Sequence, residues 1–102
     1  MSSSGTRRGL KAGLAAFVVM AVLAGCASAP VQEMSDARQA IHAAEEAGAA
    51  TLAPDALRDA KRLLTSAERK LQREAYTAAR QDAREARRRA AEALRAAQAS
   101  SD

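Results

Sequence analysis

The stretch Tyr76-Thr77-Ala78-Ala79-Arg80-Gln81-Asp82-Ala83-Arg84-Glu85-Ala86-Arg87-Arg88-Arg89-Ala90 decides the fold. Tyr76, Ala79, Ala83, Ala86 and Ala90 stand three and four apart, and Ala93 and Ala97 continue the same alternation. Residues at that spacing share one face of an α-helix. The pattern therefore predicts a helix over about 76–99 with a seam made almost wholly of methyl groups. Alanine has the highest intrinsic helix propensity, and the arginine, glutamate and glutamine between the alanines follow closely. A seam this narrow lets two helix backbones approach each other.

Upstream, Leu57, Ala60, Leu64, Ala67 and Leu71 repeat the spacing and predict a helix over about 54–73. Pro54 suits its first position, and Asp55 favours its positive N-terminus. Met34, Ala37, Ile41, Ala44 and Gly48 predict another over about 31–47, with Gly48 as a C-terminal cap and Ala49–Ala53 as a linker. From Leu71 to Tyr76 the seam takes a five-residue step past the charged Glu74. That means either a turn near Arg73–Ala75 or a stutter in one long 54–99 helix. The turn is favoured, because a continuous helix would leave its seam with nothing to cover it. The expected fold is all-α: a small alanine-rich helical hairpin or three-helix arrangement after a cleaved N-terminal signal helix. The helical domain is placed at 31–99.

Composition agrees and narrows the function. Of the 76 residues after Cys26, 24 are alanine and none is Phe or Trp, which excludes the aromatic and β-branched packing of a sandwich or barrel. A single cysteine excludes a disulfide framework. Large apolar side chains are few, so a chain this small is expected to gain from self-association or a membrane staple.

The first 25 residues read as a lipoprotein export signal. Arg7, Arg8 and Lys11 precede an apolar run from Ala12 to Ala24, the length of a signal-peptide core and too short for a membrane-spanning helix. Leu23, Ala24 and Gly25 then lead into Cys26, which resembles the bacterial lipobox. Small residues let a peptidase bind the extended backbone, and the Cys26 thiol forms a thioether to a diacylglyceryl group. Cleavage before Cys26 frees an amine that can be acylated too, and several chains make a stable anchor. Residues 26–30 form the lipidated cysteine and its tether. Ala27 and Ser28 lack the aspartate that retains lipoproteins at the inner membrane in well-known sorting systems, so the expected location is the outer membrane, facing the periplasm. Removing residues 1–25 leaves thirteen basic against twelve acidic groups, a net +1 that gives no basis for nucleic-acid binding. The chain ends Ser100-Ser101-Asp102 without the terminal lysine of the major murein lipoprotein, so covalent attachment to the wall is not expected.

Residues that could carry chemistry are sparse. His42 has Glu45 and Glu46 within helical reach, but four metal ligands are not in view. Glu45-Glu46 lacks a glycine-rich loop or a pocket wall, and three thin helices do not enclose a substrate cavity of roughly 300 Å³. No enzyme activity, cofactor beyond the covalent lipid, or small-molecule substrate is expected. Arg80, Arg84, Arg87, Arg88, Arg89 and Arg95 stand against Asp82, Glu85 and Glu92. Glu85 reaches Arg88 and Arg89, while Glu92 reaches Arg88, Arg89 and Arg95, giving a solvated, internally paired face. The surplus arginines are the candidate contacts for an anionic partner, since the guanidinium fork matches carboxylate and phosphate.

Ser35-Asp36-Ala37-Arg38-Gln39-Ala40-Ile41, Ala44-Glu45-Glu46-Ala47-Gly48-Ala49 and Ala53-Pro54-Asp55-Ala56-Leu57 together resemble an alanine-rich helical domain of unknown function. It occurs in small bacterial envelope lipoproteins and ahead of OmpA-type peptidoglycan-binding domains. The likeness covers about 33–98 and implies a helical fold without an established activity. Members often carry Gly-Asp-Tyr where this chain has Glu74-Ala75-Tyr76. Two roles are expected to compete: a structural lipoprotein self-associating through its alanine seams, and a TPR-like adaptor for another envelope protein.

Overall fold

The computed structural model describes residues 29–101, so the expected signal segment and Cys26 lie outside the described residues. The described chain is all-α. Its helices are α1 (Val31–Glu46), α2 (Ala49–Leu52), α3 (Pro54–Gln72) and α4 (Tyr76–Ser101). The linker expected at Ala49–Ala53 is a correction, because most of it forms the single turn α2. Thr51 and Leu52 both donate to the Gly48 carbonyl, and Ala53 donates to that of Ala49. Gly48, at φ 86°, ends α1 and opens this turn. Ala49 is fully buried and belongs to the core.

Cross-helix ion pairs give the register. Arg38 faces Glu68 and Glu45 faces Lys61, so α1 and α3 run antiparallel. Arg80 in the second turn of α4 meets Glu33 in the first turn of α1, so those two helices run parallel. Met34, Ala67 and Ala83 form one buried cluster, with Leu64 packed against it. Ile41, Ala44, Ala49, Leu57, Ala60, Ala90, Ala93 and Ala97 form the second. Every alanine of the α4 seam from Ala79 to Ala97 has no exposed surface, and what covers them is α1, α2 and α3 of the same chain. Methyl-on-methyl contact allows the short interaxial distances at which so thin a bundle still excludes water.

The five-residue step is a turn. Glu74 donates to the Leu71 carbonyl at 3.0 Å and Ala75 to that of Lys70 at 2.9 Å, the paired bonds of a Schellman ending. Such an ending needs a left-handed residue, and here Glu74 holds φ 62°. A Cβ makes that conformation cost about 1–2 kcal/mol, partly offset because glycine loses more entropy on folding. Glu74→Gly is therefore expected to stabilise the domain by about 0.5–1 kcal/mol, read as a higher urea midpoint at constant slope. An unchanged or lower midpoint would refute the strain. Glycine is also the residue that the resemblance places here.

Candidate functional site

The arginines of α4 do not act as one patch. Arg80 is three-quarters buried, and its Nε donates to Glu33 Oε1 at 3.2 Å. Arg84 approaches the same oxygen at 3.6 Å while remaining largely exposed. Arg88 pairs with Glu85 one turn back. Arg89 lies 3.5 Å from Glu85 Oε1 and 3.2 Å from Glu92 Oε2. Arg87 and Arg95 are exposed and make no ion pair among the described residues. The sequence rule for pairs three and four apart therefore accounts for Glu85, whereas Glu92 takes Arg89 and leaves Arg95.

Glu85 is held below the usual carboxylate range by the hydrogen bond from Arg88, against a smaller desolvation effect, and the charges of Arg88 and Arg89 act in the same direction. Arg84, Arg87 and Arg88, with Ala91, line an open groove of about 280 Å³. A second groove of about 230 Å³ continues from Arg84 and Arg87 to Gln32, Glu33 and Asp36 of α1. These neighbours put acids beside the arginines, so the face is mixed in sign rather than uniformly basic.

Two polar contacts had no sequence signal. Glu33 and Arg80 are separated by 47 positions and meet only through the α1–α4 register. On the other side of α4, Ser66 Oγ and Lys70 Nζ donate to the same Asp82 oxygen at 2.6 and 2.7 Å. This cluster lies at the edge of a surface groove of about 490 Å³, open to solvent, between α3 and α4. Burial pushes the Asp82 carboxyl up, but the hydrogen bonds from Lys70 and Ser66 and the Lys70 charge together outweigh it and hold the group below its ordinary value. A carboxyl with a depressed folded pKa stabilises the fold fully above its unfolded value, near pH 4, and that contribution is lost as pH falls through the folded value. Asp82→Asn is expected to cost about 1–2 kcal/mol at pH 7 and to flatten the acid limb of the stability profile. Equal acid limbs in the two proteins would contradict the cluster.

His42 Nε2 sits 3.0 Å from Glu46 Oε1 on an exposed surface. Among the described residues no three His, Cys, Asp or Glu side chains are placed to hold a metal ion. No described helix is long and apolar enough to cross a membrane. Leu23, Ala24, Gly25 and Cys26 lie outside the described residues.

Residues 32–102 match the model of a family described as a domain of unknown function, DUF4398. The chain belongs to this family. No curated protein and no solved structure matches it. The DUF4398 match spans all four described helices, so the family unit includes both the alanine seam and the arginine-bearing outer face of α4.

Proposed function

We propose that this DUF4398 chain is a non-enzymatic bacterial cell-envelope lipoprotein. Residues 1–25 serve as its signal peptide, and a diacylglyceryl group on Cys26 anchors it in the outer membrane, facing the periplasm. One observation carries the reading: Leu23-Ala24-Gly25-Cys26 stands in register with a basic start, a thirteen-residue apolar run and an immediate change to the tether Ala27–Pro30. A structural role is the best-supported one, a short helical bundle held at the membrane. The alanines of α4 are already covered within one chain, so contacts between copies belong to the outer faces of the helices and not to the seam.

Cys26→Ser is expected to abolish acylation and leave the precursor unprocessed, because serine offers no thiol for the thioether. Metabolic labelling with a clickable fatty acid reads this directly. Label persisting in the variant would sink the lipoprotein reading.

The adaptor reading draws on Arg87 and Arg95, which have no acidic partner among the described residues. It calls for a crosslinked heterologous envelope protein that is lost in an Arg87→Ala, Arg95→Ala double variant. A structural lipoprotein gives no such crosslink.

A further inference from the structure

The helix register fixes which end of the bundle lies beside the anchoring sequence. Cys26 precedes Val31 by five residues, a reach of at most about 18 Å in extended chain. Met34 and Ala83 share a buried cluster, which sets Val31 level with about Arg80. The first turn of α4 and the Arg73–Ala75 turn therefore overhang the start of α1 by about 6 Å, toward the anchor. The end of α3 arrives there too, since α3 runs opposite to α1. A tether of this length cannot carry that end far from the surface holding the lipid.

Its chemistry matches such a surface. Between Arg69 and Gln81 the chain carries Arg69, Lys70, Arg73 and Arg80 against the single acid Glu74. Lys70 is held by Asp82 and Arg80 by Glu33. Arg69 and Arg73 are exposed and make no ion pair among the described residues. Val31, on the same end, is the most exposed large hydrophobic side chain described, at 73%. The opposite end opens α3 with Asp55 and Asp59, each paired to an arginine one turn on.

We propose that the α3–α4 turn is a membrane-docking surface, with Arg69 and Arg73 pairing to the phosphates of anionic lipid headgroups and Val31 seated at the headgroup boundary. The inference rests on the lipidation of Cys26. The arginine fork suits phosphate through two parallel hydrogen bonds. The acyl chains on Cys26 already make a stable anchor, so a basic patch beside them sets how the bundle stands on the membrane, not whether it stays there. Docking by this end stands the bundle away from the membrane, with the α2 end presented outward.

The test uses the full chain, purified with its acyl group and reconstituted into phosphatidylethanolamine vesicles with or without phosphatidylglycerol. A fluorophore is placed on Gln72→Cys or on Ala50→Cys, both exposed positions at opposite ends, and quenched by a headgroup-labelled lipid. Strong quenching at position 72, little at 50, and dependence on phosphatidylglycerol are expected. The Arg69→Glu, Arg73→Glu double variant should shift the docked-to-undocked ratio by roughly tenfold or more, and added salt should act in the same direction. Equal quenching at the two positions, or quenching indifferent to phosphatidylglycerol, salt and the two arginines, overturns the docking. The mass of the same sample separates the two failures: an acylated protein that fails these tests overturns docking alone, and a protein without acyl chains overturns both readings.

Discussion

Ala86→Glu should remove about 3–5 kcal/mol, a large share of the domain's stability, and lower its melting point and urea midpoint sharply. Ala86 has no exposed surface in the middle of the α4 seam. A glutamate there must bury an unpaired charge or push the helices apart, and either costs about 3–5 kcal/mol. The whole stability of a domain this size is about 4–10 kcal/mol. Arg84→Glu is the matched control, because it installs the same residue in the same helix and so equalises helix propensity. Arg84 is 60% exposed, with a 3.6 Å approach to Glu33 as its ion pair, and its reversal should cost no more than about 1 kcal/mol. Thermal and urea melts followed by circular dichroism would separate the two variants widely. If they melted together, α4 would pack against nothing, and a solvated helical spacer would describe the chain better.

Met34→Ala should cost about 2–5 kcal/mol, an unusually large share for one side chain. Met34 is 2% exposed and fills the cluster it shares with Ala67 and Ala83. Ala67 and Ala83 are single methyl groups on helix backbones, which leaves the partly buried Leu64 as the side chain of this cluster able to shift toward the space that the thioether leaves. Val31→Ala, one turn earlier, removes a side chain that is 73% exposed and should change stability by less than about 0.5 kcal/mol. The urea midpoint of each variant checks this. Similar midpoints would place Met34 at the surface.

The helical seams were legible because alanine burial leaves a periodic trace: Ala79, Ala83, Ala86, Ala90, Ala93 and Ala97 are the positions that the spacing picks out and that the fold buries. The phase slip at Glu74 marked a turn without a glycine or proline to name it, and only the positive φ of Glu74 explains how the chain turns there. α2 escaped notice because four residues are too few for a seam to declare itself, although Ala49 is core. Local pairs such as Arg88–Glu85 follow from spacing alone. Arg80–Glu33 and Lys70–Asp82 depend on how helices are laid against each other, which no single helix encodes. The proposed anchoring motif rests on sequence alone: a peptidase and a lipid transferase would read extended chain, where the order of residue types around Cys26 is the signal.

The most direct measurement is the intact mass of the protein isolated from its native envelope, with the sequence of its N-terminal peptide. The expected result is a mature chain beginning at Cys26 and heavier than its polypeptide by a diacylglyceryl group, with or without a further acyl chain on the new amine. A chain that retains residues 1–25 and carries a free thiol at Cys26 would contradict it.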